Sequence, residues 1–308
     1  MSVVVPVYRS VTSLPVLVER VRASLADVTH EIILVDDGSP PATWHTIRRL
    51  SIDEPNVRGI RLGRNAGQHS ALLAGVRAAR FDVTVTVDDD LQNPPEEIPK
   101  LLAALSEGVD VVYGTTQQVA QHRWRRTSSI WTRTLLGSAL GAENALRMSS
   151  FRAFRTQLRD GFDADLGPSV ALDALLAWST SNFAAVDVRH DERSEGHSNY
   201  TFRTLFRFAL DTATGYSAVP LQIAMGLGLL TALFGVGVLV WVVGRTLITG
   251  TSAPGFPFLA SIIAIFAGVQ LVTLGIIGEY LARMHFRLMR KPTYVIAECT
   301  GHDPDPSQ

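Results

Sequence analysis

Two long uncharged stretches restrict the fold of this chain more than any other feature. Residues 219–244 and 256–278 contain no Asp, Glu, Lys or Arg. As α-helices they would be about 39 Å and 34 Å long, and the hydrocarbon core of a bilayer is about 30 Å thick. A pair of buried core helices is the alternative, but the length, the glycine content and the absence of charge favour the membrane. The sequence therefore predicts a two-helix transmembrane hairpin within residues 219–280, with helices near 219–244 and 256–279.

Basic residues around these stretches predict the orientation of the chain. Arg203 and Arg207 precede the first stretch, and only Arg245 lies between the two. Four further cations follow the second stretch: Arg283, Arg287, Arg290 and Lys291. Because cytoplasmic loops are rich in Lys and Arg, we expect both termini in the cytoplasm and the short loop outside. The chain opens on a strand-like segment without a basic leader, and its single cysteine, Cys299, fits a reducing compartment. The predicted location is the inner (plasma) membrane, as a multi-pass protein.

Strand and helix patterns alternate through the first half of the chain. Apolar runs predict strands over residues 2–7, 31–35, 57–62, 83–87 and 109–113. Helical spacing predicts helices over residues 14–25, 44–50, 70–79 and 95–105. This alternation is typical of an α/β domain, in which a mostly parallel sheet carries helices on both faces. The net charge of −1 gives no sign of a nucleic-acid partner.

Polar clusters follow four of the predicted strands. They are Tyr8-Arg9, Asp36-Asp37-Gly38-Ser39, Arg64-Asn65-Ala66-Gly67-Gln68 and Asp88-Asp89-Asp90. Each cluster alone fits an ordinary turn, but ligands bind at the carboxyl ends of such strands, where all four would meet. Asp88 and Asp90 are two residues apart and can reach one divalent ion, and hard oxygen ligands suit Mg²⁺ or Mn²⁺. No Gly-x-Gly-x-x-Gly follows the first strand and no Walker A sequence is present, which disfavours a dinucleotide oxidoreductase and a P-loop enzyme.

Four motifs together resemble those of the family 2 glycosyltransferases. They are Val5-Pro6-Val7-Tyr8, Val35-Asp36-Asp37-Gly38-Ser39, Arg64-Asn65-x-Gly67-Gln68 and Asp88-x-Asp90-Leu91-Gln92-x-Pro94-Pro95. The layout over residues 2–295 is similar to the polyprenyl-phosphate branch, which includes dolichol-phosphate mannose synthases and undecaprenyl-phosphate glucosyl and aminoarabinose transferases. Residues 64–99 are especially similar to the aminoarabinose type.

The resemblance implies a Rossmann-like GT-A domain over residues 1–199. After it, apolar spacing predicts an amphipathic juxtamembrane helix at 200–218, with an ordinary core helix as the alternative. We expect the hairpin at 219–280 and a cytosolic basic tail at 281–308 to follow. The resemblance also implies a nucleotide-sugar site at Pro6, Tyr8, Asp36, Asp37, Asn65, Gln68, Asp88 and Asp89. Of these, Asp36 or Asp37 would hold the base and ribose. Asp88, Asp90 and Gln92 would bind the metal, with Asp90 catalytic, and Asp89 stands where the family commonly has a small residue.

The resemblance assigns acceptor binding to a second group of residues. Arg125 and Ser129 lie one helical turn apart and would clamp a lipid phosphate as catalytic residues, with Arg126 and Arg133 in support and Ser198 and Tyr200 in a nearby loop. The alternative is a basic juxtamembrane face that binds anionic lipid non-specifically. Three positions depart from the family: Leu146 replaces an Asp, Gln117 an Arg and Asn199 a Lys. Arg123, Arg147 and Arg152 are the candidates to replace the missing cations.

The predicted activity is inverting, metal-dependent transfer of a sugar from a nucleotide sugar, with UDP favoured, to an undecaprenyl or decaprenyl phosphate. The product would be a polyprenyl-monophosphate sugar for cell-envelope glycans. Two alternatives stay open: a membrane-anchored subunit that binds a sugar nucleotide without transferring it, and an enzyme like the processive polysaccharide synthases. Gln121-His122-Arg123-Trp124 resembles the Q-x-x-R-W element of that last class, with the Gln one residue too close. The sequence is also compatible with a homo-oligomer.

Overall fold

The computed structural model describes residues 1–115, 149–162, 171–191, 219–249, 256–289 and 292–301. The described residues divide into two compact units. The first contains residues 1–191 together with 292–301, and the second contains the two long helices. The predicted juxtamembrane helix at 200–218 lies outside the described residues.

One mixed sheet forms the centre of the first unit. Its strands are β1 (Ser2–Val7), β2 (Glu31–Asp36), β3 (Val57–Leu62), β4 (Val83–Thr86), β5 (Val111–Thr115), β6 (Arg152–Arg155), β7 (Phe183–Asp187) and β8 (Ile296–Thr300). They lie in the order β7-β5-β6-β4-β1-β2-β3-β8. β1 pairs parallel with β2 and β4, β2 with β3, and β5 with β7. β6 runs antiparallel between β4 and β5, and β8 antiparallel to β3. The predicted α/β architecture with a mostly parallel sheet is therefore confirmed.

Helices cover both faces of this sheet. They are α1 (Ser13–Ser24), α2 (Pro41–Asp53), α3 (Gln68–Ala78), α4 (Ile98–Ala104) and α5 (Leu172–Ser179). Alternate residues of β1 enter different cores: Val3 and Val5 pack with α1, whereas Val4 packs with α3. This follows from the period of two along a strand, because a strand that is apolar on both faces must be covered on both.

The predicted elements exist, and their ends differ by a few residues. α2 begins at Pro41 rather than residue 44, with the proline at a position where its missing N–H costs nothing. β5 covers residues 111–115 rather than 109–113. The segment predicted as one helix over 95–105 begins as a 3₁₀ turn at Pro95–Glu97 before α4. Proline spacing explains this last difference, since Pro94, Pro95 and Pro99 each remove a backbone donor.

The end of the chain differs from the predicted basic tail at 281–308. The second long helix continues to Leu288, and residues 296–300 form β8 at the edge of the sheet. The prediction of a basic tail rested on the cations within residues 283–291. A five-residue strand whose partner lies more than 200 residues away leaves only a weak local pattern, here the β-branched Val295-Ile296.

The second unit consists of α6 (Val219–Thr249) and α7 (Phe256–Leu288). Two segments of these helices, Ala224–Arg245 and Ile265–Ala282, have mean hydropathies of 2.3 and 1.6 and are not buried inside the protein. The helices approach closely at Gly235, where a Cβ would lie 2.6 Å from Cζ of Phe266. Both helices are long and apolar enough to cross a bilayer, as predicted, and each extends beyond its predicted bounds.

Candidate functional site

A cavity of about 410 Å³ lies at the carboxyl ends of β1, β2 and β4. These three strands are mutually parallel, so the loops that follow them meet at one edge of the sheet. The lining residues are Pro6, Val7, Tyr8, Asp37, Asn65, Gly67, Gln68, Asp88, Asp89, Asp90 and Gln92. The structure thus brings together every predicted nucleotide-sugar and metal residue except Asp36.

Asp37 connects two of the loops that form the cavity. Its Oδ1 accepts a hydrogen bond from the Ala66 N–H at 2.7 Å, and its Oδ2 accepts one from the Gly67 N–H at 2.9 Å. Burial raises the pKa of Asp37, and these two N–H groups act in the opposite direction. Gly38 follows with φ +65°, and a Cβ there would lie 2.5 Å from the Asn65 nitrogen, so the contact requires glycine.

Asp36 has a different environment from Asp37. It is fully buried and does not line the cavity. Its Oδ1 accepts a hydrogen bond from the Ser39 N–H at 2.9 Å, and its Oδ2 lies 3.4 Å from Nε of Arg61. Of the two carboxylates predicted for the nucleotide, Asp37 faces the cavity and Asp36 supports the turn from behind.

Asp88 and Asp90 follow β4 and face the cavity together. Oδ1 of Asp88 accepts a hydrogen bond from Nε2 of Gln68 at 2.6 Å, and Oδ2 accepts one from Oγ of Ser150 at 2.5 Å. Oδ1 of Asp90 accepts one from the Gln92 N–H at 3.2 Å. Leu91, which lies between Asp90 and Gln92, has φ 61°, an uncommon conformation for a residue with a Cβ. The chain therefore turns sharply after the three carboxylates.

Asp89 connects this segment to the loop after β1. Its Oδ2 accepts hydrogen bonds from the Tyr8 N–H at 3.1 Å and from Oγ of Ser10 at 2.5 Å. Burial raises the pKa of Asp89. Arg9, between the two donors, has φ 62° and donates its N–H to Oγ of Ser39 at 3.0 Å. Asp89 therefore holds the wall of the cavity in place, which a sequence pattern does not reveal.

The donor set suits a hard divalent cation. Among the described residues, no three carboxylate, imidazole or thiol groups converge at one point. Asp88 and Asp90 nevertheless line one cavity, and Gln92, whose side chain carries an amide oxygen, lines the same cavity. Mg²⁺ in particular is commonly held by one or two carboxylates, with substrate phosphates and water completing the shell. The residues therefore fit a cation that arrives with, or is completed by, a diphosphate.

Arg152 is not available to an acceptor, contrary to one of the sequence-based suggestions. It is almost fully buried (1% exposed) and forms an ion pair with Asp173. Its Nε also donates to Oγ1 of Thr86 at 3.1 Å, and the Tyr113 hydroxyl donates to Asp173 at 3.0 Å. A guanidinium already paired inside the protein cannot replace the missing cations. Arg123 and Arg147, the other candidates, lie outside the described residues.

The predicted acceptor residues also lie outside the described ranges. They are Arg125, Arg126, Ser129, Arg133, Ser198 and Tyr200, together with the departures at Gln117, Leu146 and Asn199. Sequence reasoning missed four residues that shape the cavity or its support: Ser10, Arg61, Ser150 and Glu298. None of the four carried a signal in the motifs quoted for the sequence, because each acts through a contact with a distant part of the chain.

Comparison with known proteins gives a family match and similar full-length relatives. The family model described as "Glycosyl transferase family 2" matches residues 2–162. An undecaprenyl-phosphate 4-deoxy-4-formamido-L-arabinose transferase of Aeromonas hydrophila is 34% identical over 100% of this chain and 96% of its own. The transferase of the same name from Proteus mirabilis is 35% identical over 97% and 94%.

The fold has a counterpart among solved structures. The glucosyl-3-phosphoglycerate synthase of Mycobacterium tuberculosis, crystallised with Mn²⁺, UDP and phosphoglyceric acid, superimposes with a TM-score of 0.51 at 21% identity. The match covers 70% of this chain and 76% of that one. At this identity the likeness establishes the GT-A fold alone. The family model and the two full-length relatives carry the assignment further: this chain belongs to glycosyl transferase family 2.

Proposed function

We propose that this protein transfers a sugar from a nucleotide sugar to a polyprenyl phosphate at the cytosolic face of the membrane, with inversion at the anomeric carbon. The observation that carries the proposal is the cavity that joins Asp37, Asn65, Asp88 and Asp90 in a chain similar over its full length to undecaprenyl-phosphate sugar transferases. That similarity favours a single transfer to a lipid phosphate over processive synthesis. It also gives no support to a subunit without activity.

The donor half of the reaction is assigned to the cavity. Tyr8, Asp37 and Asn65 would bind the nucleoside, with UDP the favoured nucleotide. Asp88 and Asp90, with Gln92, would hold Mg²⁺ or Mn²⁺, which when bound neutralises charge on the nucleoside diphosphate. Asp89 and Gln68 keep their neighbours in position through the hydrogen bonds given above. The cavity residues would therefore orient the donor, and the cation that they hold would make the nucleoside diphosphate a better leaving group.

The acceptor half needs no general base. A phosphomonoester has its second pKa near 6 and is mostly dianionic at pH 7, so its oxygen is already a nucleophile. That oxygen bonds to the anomeric carbon while the bond from this carbon to the diphosphate oxygen breaks, and the electron pair leaves with the nucleoside diphosphate. Arg125 and Ser129, supported by Arg126, Arg133, Ser198 and Tyr200, are the residues that we propose to hold the lipid phosphate.

Chain connectivity supports a membrane arrangement with two crossings. β7 and β8 belong to one sheet, and α6 and α7 lie between them in the sequence. The chain must therefore cross the bilayer an even number of times between these strands. Two crossings by α6 and α7 meet this condition, and the flanking arginines favour the cytoplasm for the sheet.

A radiolabelled transfer screen tests the proposal. Membranes from cells that express the protein are incubated with undecaprenyl phosphate, Mn²⁺ or Mg²⁺, and a panel of labelled UDP-, GDP- and dTDP-sugars. The donor of 4-deoxy-4-formamido-L-arabinose is the first to test, given the names of the relatives. We expect a lipid-extractable, acid-labile monophosphate sugar that requires both lipid and metal. Incorporation of several sugars into a growing polymer, or no transfer from any donor, would refute the proposal.

A further inference from the structure

The strand that follows the second long helix is connected, through a series of side-chain contacts, to one wall of the cavity. β8 pairs with β3 so that Glu298 lies opposite Arg61 and Thr300 opposite Gly59. The approach is close, since a Cβ on Gly59 would lie 2.6 Å from Cγ2 of Thr300. This close pairing fixes the position from which the Glu298 side chain extends.

Both oxygens of Glu298 have partners in the first unit. Oε2 accepts a hydrogen bond from Nε1 of Trp44 at 2.8 Å, and Oε1 accepts one from Nη1 of Arg61 at 3.0 Å. Trp44 belongs to α2 and is buried. The Arg61 guanidinium also lies 5.8 Å from the centre of the Trp44 ring. Glu298 and Trp44 together therefore restrict the orientation of Arg61.

Arg61 in turn faces the buried carboxylate behind the cavity. Its Nε lies 3.4 Å from Oδ2 of Asp36, an oxygen that has no hydrogen bond among the described residues. A buried carboxylate is costly unless a cation opposes it, and Arg61 is the cation in that position. The placement of Asp36 therefore depends on where Arg61 is held.

Asp36 sets the turn that forms one wall of the cavity. It precedes Asp37, and its Oδ1 fixes the Ser39 N–H. Oγ of Ser39 accepts a hydrogen bond from the Arg9 N–H, and the Asp37 carboxylate accepts hydrogen bonds from the N–H groups of Ala66 and Gly67. A change in the position of Arg61 would thus alter the Asp36–Ser39 turn and, with it, the position of the Asp37 carboxylate, which is proposed to face the nucleoside.

We propose that Glu298 is a positioning residue for nucleotide binding, which acts by holding Arg61 against Asp36 and so fixing the Asp36–Ser39 turn. The inference rests on the proposed function, because it assigns the Asp37 side of the cavity to the nucleoside. It gives β8 a role in the affinity for the nucleotide sugar. The affinity for the lipid phosphate and the rate of the transfer step should not depend on Glu298.

Glu298→Gln tests this in the full-length, detergent-solubilised protein. The amide oxygen can still accept from Trp44, but the negative charge that orients Arg61 is lost. We expect the Kd of the tightest binder among UDP, GDP and dTDP, measured by calorimetry with Mn²⁺, to rise about threefold to fivefold. The KM for the nucleotide sugar should rise equally, while kcat and the KM for undecaprenyl phosphate stay unchanged. Glu54→Gln, which breaks the exposed pair between Glu54 and Arg22, is the matched control and should leave all values unchanged.

A double variant tests the route through Arg61. In an Arg61→Gln background, Glu298→Gln should weaken nucleotide binding no further, because the proposed route through Arg61 has already been removed. Additional weakening in that background, or an unchanged Kd in Glu298→Gln alone, would overturn the inference and leave the proposed function intact. A wild-type protein that binds none of the three nucleotides would overturn the inference and the nucleotide part of the proposed function together.

Discussion

The three consecutive aspartates after β4 have different environments, so their replacement should have different consequences. Asp88 accepts hydrogen bonds from Gln68 and Ser150, and Asp90 faces the cavity next to Gln92. Asp89 instead joins its own loop to Tyr8 and Ser10. All three residues line the cavity, but the side chain of Asp89 is engaged by the loop after β1, so we assign ligand binding to Asp88 and Asp90.

Replacement of Asp90 should remove activity without unfolding the protein. Asp90→Asn keeps the shape of the side chain but loses the charge that would hold the cation at the diphosphate. We expect transfer to fall by about 100-fold or more, with an unchanged melting temperature. Initial rates at saturating donor and lipid provide the measurement, with Asp53→Asn, on the exposed face of α2, as the control. Near-normal rates in Asp90→Asn would contradict the metal assignment.

Replacement of Asp89 by Asn, which keeps the hydrogen bonds and removes the buried charge, should stabilise the fold. Burial raises its pKa, so the ionised form is disfavoured in the folded state, and wild-type stability falls as the pH rises through that raised pKa. Asp89→Asn retains an oxygen acceptor for Tyr8 and Ser10 and lacks the charge. We expect the variant to melt about 2 °C above wild type at pH 8 in metal-free buffer. The difference should shrink towards pH 4, and a difference that grows as the pH falls would contradict this reading.

At the scale of elements, the buried pair between Arg152 and Asp173 joins β6 to α5. Asp173→Ala should cost about 3–5 kcal/mol of unfolding free energy, because it leaves a buried guanidinium without its counter-charge. Urea unfolding in detergent measures this cost. Asp160→Ala, at an exposed pair with Arg159, is the control and should change stability by less than about 1 kcal/mol.

A compensating double variant separates charge burial from packing in this pair. Arg152→Met combined with Asp173→Leu replaces both charges by apolar groups and should recover most of the lost stability. A loss below about 1 kcal/mol in Asp173→Ala, or no recovery in the double variant, would show that the pair is not the contact that holds these elements together.

The sequence predicted those parts of the fold that have a local signature. Apolar periodicity predicted β1 to β5 and their helices, and the parallel arrangement then brought Tyr8, Asp37, Asn65 and Asp88 to one edge. Contacts between distant positions had no such signature. Ser10 meets Asp89 across 79 residues, and Arg61 meets Glu298 across 237. No spacing rule connects such pairs, so the supports of the cavity emerge only from the structure.

At the scale of the whole molecule, the accessibility of the single cysteine, Cys299, to labelling tests the proposed topology. Cys299 lies exposed on β8, on the same sheet as the cavity. We expect it to resist a membrane-impermeant maleimide in intact spheroplasts and to react after permeabilisation, because the sheet is proposed to lie in the cytoplasm. As the control, Thr251→Cys in a Cys299→Ser background should react in intact spheroplasts. Labelling of Cys299 before permeabilisation would contradict the topology.

The pairing of β8 with β3 also has a consequence for how the protein is made. Residues 57–62 leave the ribosome long before residues 296–300, by roughly 10 to 50 s at typical rates of synthesis. Throughout that interval the nascent sheet ends in an unpaired β3, whose free N–H and C=O groups can recruit other strands. With the proposed topology, both apolar helices also enter the bilayer within the same period. With that topology, we expect membrane insertion to precede completion of the sheet, and a nascent chain that stalls before residue 296 to keep an aggregation-prone edge.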